Sequence, residues 1–320
     1  MRLSRGEAPL RRVVIVGAGF FGRVVARRLA DVGVAPVVAA RSRGDLRIDV
    51  EDRRSIGRAL RAGDVVVDTA GPFQARSTRL LEAAIERGCD VVDLSDSRAY
   101  AESVLALGDR AAAAGARIHT SCSAVAVVAA AALRRLGVSA PEECDLFLAP
   151  ASAETGNPAT VRAFLASADW SRQRAFPDGR RRGGRVDSAA SVLLPRVWPS
   201  LRRVDLWVDP NAPFASATFA LARRLRLLPV LAPAAPLAAR LLGRRDGLFA
   251  VSVRERGREA TLTLSAPRRS YLVAAEPAVI AAESLARGAT TAPGMVPVDV
   301  QVDPDLLFSR LRDLGVDVRA

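Results

Sequence analysis

Lysine is absent from this chain of 320 residues, so that all 47 of its basic residues are arginines. Histidine occurs once, at His119, and tyrosine occurs twice. The chain therefore has no Schiff-base lysine, no lysine general acid and no tyrosine–lysine pair of the kind that short-chain dehydrogenases use. These chemistries are excluded.

Cysteine is also scarce, and the three cysteines, Cys89, Cys122 and Cys144, are widely spaced without a Cys-x-x-Cys pair. This pattern argues against a disulfide framework and against a zinc site, and it fits a reducing cytosol. No apolar run approaches the ~20 residues that cross a membrane. The charged N-terminal segment lacks the apolar core of a signal peptide. We expect a soluble, cytoplasmic protein without a transmembrane segment.

Aromatic residues make up only 5% of the chain, although the formal net charge is +13. Few aromatic side chains are therefore available to stack on nucleic-acid bases. The one dense basic run, residues 179–185, has the composition of an exposed, mobile loop. The charge thus indicates a solvated, arginine-rich surface rather than a nucleic-acid partner.

The first part of the chain alternates strand and helix patterns. Half of all residues in the chain are hydrophobic, which is enough to form a core. Strands separated by helices of this length predict a parallel sheet with helices on both faces. We therefore expect an α/β fold with a Rossmann doubly wound sheet. The predicted strands are 13–16, 36–40, 46–50, 64–68, 90–94 and 116–119, and the predicted helices are 22–32, 55–61, 77–87 and 100–114.

After residue 124 the alternation gives way to runs of strands with fewer helices, which predicts an α+β second domain. We expect a Rossmann domain over residues 1–124, a substrate and dimerisation domain over 125–295, and a C-terminal segment, 296–320, whose helix returns to the first domain. The predicted elements are helices 125–136, 158–168 and 304–314 and strands 143–148, 204–208, 248–254 and 259–264, with 174–203 irregular.

A glycine motif follows the first strand and opens the first helix. Gly17, Gly19 and Gly22 flank Ala18, Phe20 and Phe21 in the order G-x-G-x-x-G. Such glycines allow a tight turn and let a pyrophosphate approach the amides at the helix N-terminus, where the helix dipole favours an anion. The motif therefore predicts a dinucleotide site.

The end of the second strand decides which dinucleotide is favoured. A carboxylate at this place would bind the ribose 2′-hydroxyl of NAD, but the chain has Arg41 and Ser42. A guanidinium pairs with a 2′-phosphate, which a carboxylate would repel. We expect NADP, with NAD less favoured.

A third motif follows the fourth strand, where Thr69, Ala70, Gly71 and Pro72 precede Phe73. These small residues lie at the carboxyl edge of the predicted sheet, where cofactors bind in open α/β folds. They predict a close approach of the backbone to the nicotinamide half.

Together these motifs make the first domain resemble the saccharopine dehydrogenase-like NADP-binding oxidoreductases. The shared features are residues 17–22, 40–41, Asp49, 70–73 and 92–95. The resemblance implies that the three glycines hold the pyrophosphate, that Arg41 holds the 2′-phosphate, and that Asp49 and Val50 lie near adenine. It also implies that Ala70 to Phe73 lie near the nicotinamide ribose and that the substrate pocket contains Asp93, Ser95, Ser121 and Cys122.

Hydride transfer also needs a proton donor or acceptor near the nicotinamide. His119 ends a predicted parallel strand at the cleft edge, and Asp96 follows the preceding strand. A buried structural histidine is an equal alternative for the first, and a helix cap for the second. Tyr100 and Tyr271 are better explained by packing.

Residues 214–242 are unusually apolar and contain four arginines. We expect an interface between domains or within a homodimer. A peripheral membrane contact or a tunnel for a lipid-like substrate is the alternative. The function predicted for the chain is an NADP-dependent oxidoreductase that transfers hydride between nicotinamide and a small or lipidic metabolite. The alternatives are a non-catalytic NADP-binding sensor or scaffold and a membrane-surface protein.

Overall fold

The computed structural model describes residues 10–156, 168–212, 234–288 and 291–320. Within them, two seven-stranded sheets organise the chain. The first sheet contains β1 (Val13–Val16), β2 (Val37–Ala40), β3 (Leu46–Arg47), β4 (Val65–Asp68), β5 (Asp90–Asp93), β6 (Arg117–His119) and β13 (Gly294–Met295). The second contains β7 (Glu143–Ala149), β8 (Ala168–Ala175), β9 (Arg182–Val186), β10 (Arg203–Val208), β11 (Gly247–Glu255), β12 (Arg258–Ala266) and β14 (Asp317–Arg319).

All strands of the first sheet run parallel, in the order β13-β6-β5-β4-β1-β2-β3. The order reverses at β1, which pairs with β2 on one side and β4 on the other, so a crevice opens at the carboxyl ends of these strands. Alternate residues of β1 enter different cores: Val13 and Ile15 face one, and Val14 and Val16 face the other. Burial on both faces explains the continuous apolar run, and the predicted Rossmann sheet is confirmed.

The helices cover both faces of this sheet and one face of the second sheet. They are α1 (Phe20–Asp31), α2 (Arg53–Ala59), α3 (Arg79–Ile85), α4 (Arg98–Leu105), α5 (Gly108–Ala113), α6 (Ala129–Arg135), α7 (Ser152–Thr155), α8 (Ala190–Val197), α9 (Ala235–Leu242), α10 (Leu272–Ala286) and α11 (Pro304–Asp313). The almost entirely buried α10 packs against α1, β4 and β5 and so joins the two halves of the chain. Among the described residues, no helix has the length and apolar character needed to span a membrane.

The second sheet is mixed, in the order β14-β12-β11-β7-β10-β9-β8. Its β7 and β10 run parallel, whereas the other described pairs are antiparallel. Cys144 and Leu146 of β7 share a core with α6 and α10, which lie on that face of the sheet. The predicted α+β second domain is confirmed.

The arginine-rich region expected to be irregular, 174–203, is instead largely ordered as the β8–β9 hairpin and α8. Glycine makes this possible, because a Cβ at Gly183 would lie 2.8 Å from both the Val208 backbone and the Phe176 ring. The run 179–185 is thus mostly a strand and its turn, not a mobile loop. The predicted helix 125–136 begins as a π-helical turn, 124–128, and the predicted helix 158–168 lies almost wholly outside the described residues.

The last part of the chain, residues 294–320, contacts both halves of the chain. The short β13 extends the first sheet beside β6, whereas β14 pairs with β12 at the edge of the second sheet. Between them, α11 packs against α10 and α6. The predicted return is therefore shared between the two sheets, and the division at residues 124 and 295 stays a prediction.

Candidate active site

The carboxyl ends of β1, β4, β5 and β6 meet at one edge of the first sheet and bring four loops together. These loops are residues 17–22, 69–73, 94–97 and 120–123. The predicted site residues of the glycine motif, the Thr69 loop and the strand ends near Asp93 and His119 therefore share one crevice.

Two of the motif glycines leave no room for a side chain. Gly17 has a φ of +111°, and a Cβ on it would lie 2.7 Å from the Thr69 hydroxyl oxygen. A Cβ on Gly22 would lie 1.8 Å from the Gly17 carbonyl oxygen. The Thr69 hydroxyl donates to the carbonyl oxygens of Val16 (3.0 Å) and Gly17 (3.1 Å). Thr69 thus fixes the turn from the neighbouring strand β4.

The third motif glycine, Gly19, borders open space, since a Cβ on it would meet no heavy atom within 4 Å. It is the N-cap of α1, with no side-chain cap and no acidic residue in the first turn. The first amides of α1 and its dipole are therefore available to an anion. Phe20 packs edge-on against Phe21 and Tyr271, with ring centroids 5.2 and 4.9 Å away. This arrangement fits a dinucleotide pyrophosphate.

Arg41 and Ser42 are exposed beyond β2, and Arg41 lines a cleft of about 700 Å³. The cleft is lined by Arg41, Leu46, Arg47, Asp49, Asp52, Ser55, Arg58 and Ala59. Its two carboxylates accept hydrogen bonds from the backbone: Asp49 from the Glu51 amide, and Asp52 from the first amides of α2. Arg47 Nε donates to the Arg41 carbonyl oxygen at 3.1 Å. The cleft therefore offers guanidinium groups to a phosphate, and half-buried Val50 follows Asp49 beside it.

A buried ion pair supports the loop after β4. Both carboxylate oxygens of Asp68 lie 2.8 Å from Arg76 Nη1, which also donates to the Ala70 carbonyl oxygen at 2.8 Å. Burial lowers the pKa of Arg76, but Asp68 raises it more, so the side chain stays charged. The Phe73 ring centroid lies 5.1 Å from the Arg76 guanidinium and 5.1 Å from the Tyr100 ring centroid, while Gly71 is exposed and Pro72 half-buried. Sequence reasoning missed Arg76.

Asp93 organises the neighbouring strand ends. Its Oδ1 accepts hydrogen bonds from the amides of Ser95 and Ser121, each at 2.9 Å, and its carbonyl oxygen accepts one from the Cys122 amide at 2.7 Å. Burial raises the pKa of Asp93 to about 6, against the opposing effect of these hydrogen bonds. The four predicted pocket residues, Asp93, Ser95, Ser121 and Cys122, are thus brought together.

Asp96 stands where the two halves of the chain meet. Its carbonyl oxygen accepts a hydrogen bond from the Ala189 amide, just before α8, at 3.0 Å. Its Oδ1 is buried and has no hydrogen-bond partner among the described residues. Burial, with a further contribution from the charge of Asp93, raises the pKa of Asp96 to about 7. Ser97, not Asp96, caps α4.

His119 is buried, and neither ring nitrogen has a partner within the described ranges. Burial lowers its pKa to about 4, so the imidazole is neutral at pH 7. Burial also raises the pKa of Cys122 well above its ordinary value, which keeps that thiol protonated.

Gln301 completes this edge from the C-terminal segment, and sequence reasoning missed it. Its Nε2 donates to the carbonyl oxygens of Thr120 and Val296, each at 3.1 Å, while its buried Oε1 is unpartnered among the described residues. No strand or motif pattern marks this position, because only the return of the chain beside β6 brings it here. In the part of the chain that the structure describes, no cluster of side chains is suited to a metal ion.

Comparison with known proteins assigns the first sheet. Residues 13–118 match the family model of the saccharopine dehydrogenase NADP binding domain. The match confirms, over these residues, the resemblance that the motifs predict. No curated protein matches the sequence.

Among solved structures, the chain is similar to the DAP dehydrogenase of C. glutamicum in complex with DAP, at 16% identity and a TM-score of 0.49, with 96% of this chain and 99% of that chain covered. It is similar to an engineered D-amino acid dehydrogenase at 17% identity and a TM-score of 0.48, with 93% and 96% covered. It is also similar to GenD2 from gentamicin A biosynthesis in complex with NAD, at 14% identity and a TM-score of 0.43, with 100% and 99% covered. These likenesses concern the chain fold alone.

Proposed function

We propose that this protein is an NADP-dependent oxidoreductase that transfers hydride between the nicotinamide and a small or lipidic metabolite. The observation that carries the proposal is the contrast within the glycine motif. Gly17 and Gly22 are closed in by the protein itself, whereas Gly19 faces open space at the uncapped start of α1. Together with the family match over residues 13–118, this contrast favours a bound dinucleotide.

Successive groups of residues along the crevice would contact successive parts of that dinucleotide. The glycine motif, with Phe20 and Phe21, would hold the pyrophosphate, and Arg41 and Ser42 would hold the 2′-phosphate, which favours NADP over NAD. Asp49 and Val50 would lie near adenine. The nicotinamide ribose would lie near the loop of Thr69, Ala70, Gly71, Pro72 and Phe73. The Asp68–Arg76 ion pair holds this loop in place.

The chain's own part in the chemistry is to hold the substrate and to move a proton. When bound, NADPH supplies the hydride. Asp96 is the proton donor in the reductive direction, because its carboxyl has a pKa of about 7 and an unpartnered oxygen beside the crevice. Asp93, Ser95, Ser121 and Cys122 shape the substrate pocket, and the buried imidazole of His119 stays neutral at pH 7.

Transfer of deuterium from NADPH labelled at nicotinamide C4 into a panel of ketones, imines and enones tests this function. We expect a labelled product with wild-type protein and loss of labelling, at unchanged NADPH affinity, with Asp96→Asn. NADPH binding without label transfer to any compound of the panel would contradict turnover and favour the sensor alternative. A homodimer also remains a proposal, which light scattering of the purified chain measures.

A further inference from the structure

We propose that α9 is a membrane-docking element that lays its exposed leucines on a bilayer rich in anionic headgroups. This inference concerns the end of the apolar stretch 214–242 and does not depend on the oxidoreductase activity. Residues 213–233 lie outside the described residues, so the argument concerns α9 and the residues that follow it.

One side of α9, which contains Ala239, packs against the end of α7 and so sets the orientation of the helix. Ala239 packs so closely on the end of α7 that a Cβ at Gly156 would lie 2.5 Å from the Ala239 Cβ. Leu237 and Leu241 are four residues apart and therefore share one side of the helix, roughly opposite Ala239. Their exposed fractions are 62% and 73%, and that of Leu242 is 62%.

Exposed large hydrophobic side chains are concentrated on α9. No residue of α9 is buried. The other exposed large hydrophobic side chains among the described residues, Leu10, Val300 and Leu306, lie on separate segments. Single exposed leucines are ordinary, whereas three on one short helix mark a contact surface.

The charged side chains of α9 and of the next three residues, 243–245, are all positive. Arg240, Arg244 and Arg245 are exposed, and the acidic residue that follows, Asp246, lies 3.5 Å from the Arg244 side chain and is partly shared with Arg181. Leucines bordered by arginines are the composition of helices that lie in the headgroup region, where the guanidinium groups remain at the surface. The charge complements an anionic bilayer.

A second copy of the chain is a poorer occupant of this surface. An eight-residue helix is only about 12 Å long, and three leucines fall well short of the roughly 800 Å² per partner that a stable dimer buries. A two-fold contact through α9 would also bring two sets of arginines together, which like charges oppose. An anionic bilayer meets neither objection.

Flotation of the full chain with vesicles tests the proposal. We use phosphatidylcholine vesicles alone and vesicles containing one-quarter phosphatidylglycerol. We expect binding to the anionic vesicles only, weakened by salt. The double variant Leu237→Gln/Leu241→Gln should lower the partition constant at least about tenfold, because it removes the apolar contact. The triple variant Arg240→Gln/Arg244→Gln/Arg245→Gln should also lower the partition constant, because it removes three positive charges that attract anionic headgroups.

Matched controls separate α9 from general charge and apolarity. Arg172→Gln/Arg180→Gln/Arg258→Gln removes the same net charge from exposed residues elsewhere, and Leu306→Gln removes an exposed leucine from α11. Both controls should float like wild type, and circular dichroism with thermal unfolding confirms that each variant is folded. Absence of flotation in the wild type, or equal flotation of the α9 variants and the controls, would overturn the proposal. A fall in molar mass by light scattering in the leucine variant, without vesicle binding in the wild type, would assign α9 to a second copy instead.

Discussion

The Asp96 carboxyl is mostly protonated just below neutral pH, because burial and the charge of Asp93 raise its pKa to about 7. If Asp96 donates the proton, kcat for reduction is highest below about pH 7 and falls as the pH rises through this value. A pH–rate profile at saturating NADPH measures this dependence. Asp96→Asn should lower kcat by about 100-fold or more and remove the inflection.

The control for this prediction is Asp109→Asn, which changes an exposed carboxylate on α5, outside the four loops of the crevice. Its profile should match that of the wild type. An inflection near pH 7 that persists in Asp96→Asn would assign the titration to another group and contradict the role of Asp96.

Protonation of His119 lowers the stability of the folded chain. Its pKa is 6.5 in the unfolded reference and about 4 in the folded chain, because burial disfavours the imidazolium. The unfolded state therefore binds a proton first as the pH falls. The stability contributed by neutral His119 is complete above about pH 6.5 and is lost towards pH 4, by about 3 kcal/mol at ~1.4 kcal/mol per pKa unit.

The test is urea unfolding of wild type and His119→Gln between pH 7.5 and about 4. Asp93 and Asp96 contribute with the opposite sign, since their raised pKa values cost stability as the pH rises, but both proteins share them. We expect the free energy of unfolding of the wild type, relative to the variant, to fall on acidification. A difference that is constant with pH would show that His119 is accessible to protons in the folded state.

The turn formed by Gly17 to Gly22 could be predicted, because the signal for it is local in the sequence. A strand, a G-x-G-x-x-G run and a helix follow one another in the sequence, so the placement of Gly17 to Gly22 needs no long-range information. Arg76 and Gln301 could not be predicted in this way. The first is identified only by its buried contact with Asp68, and the second only by its contact with Thr120, which lies 181 residues earlier in the chain.

At the scale of the element, the glycine turn allows two similar substitutions with different consequences. Gly22→Ala places a Cβ 1.8 Å from the Gly17 carbonyl oxygen, so the turn or α1 must move, and we expect a loss of several kcal/mol in stability. Gly19→Ala places a Cβ in open space at an extended backbone conformation, and we expect less than about 1 kcal/mol. Thermal unfolding measures both.

The same pair separates fold from cofactor binding. Because the open space beside Gly19 is where the pyrophosphate would lie, Gly19→Ala should weaken NADPH binding at least about tenfold while the protein stays folded. Titration of NADPH by fluorescence checks this result. Unchanged affinity in a folded Gly19→Ala protein would mean that no dinucleotide approaches this turn.

Strands and helices could be predicted where their hydrophobic pattern repeats along the chain. They could not be predicted where the local composition is typical of a loop. The parallel strands are continuous apolar runs because both faces are covered. The β8–β9 hairpin was missed, because glycine and arginine are typical of loops. Gly183 is needed there only because the β10 backbone and the Phe176 ring approach it, a contact that no local pattern encodes.

At the scale of the whole molecule, a buried glutamate joins three helices from distant parts of the chain. Glu276 of α10 is fully buried and accepts hydrogen bonds from Arg28 of α1 at 3.2 and 3.3 Å, with Arg310 of α11 at 3.6 Å. Glu276→Gln removes the buried carboxylate that both guanidinium groups share, although Arg28 keeps Asp31 and Arg310 keeps Glu283 as partners. We expect a loss of about 2 kcal/mol in urea unfolding, because charge-assisted hydrogen bonds to a buried group are lost.

Glu86→Gln is the matched control, because exposed Glu86 also has two arginine partners, Arg53 and Arg110. Surface pairs of this kind contribute at most about 1 kcal/mol. Equal effects of the two substitutions would contradict the view that Glu276 joins the Rossmann half to the rest of the chain. This junction was not predictable, since Glu276 lies within an otherwise apolar helix pattern.

Side-by-side titration of NADPH and NADH shows whether the Rossmann sheet binds NADP through the cleft that Arg41 lines. The titrated proteins are wild type, Arg41→Ala and the control Arg43→Ala, which changes an exposed arginine outside the cleft lining. We predict tighter binding of NADPH by the wild type, a loss of roughly tenfold or more with Arg41→Ala only, and little change for NADH. NADH preference, or NADPH affinity unchanged by Arg41→Ala, would contradict the assigned cleft, and binding of neither nucleotide would contradict the function.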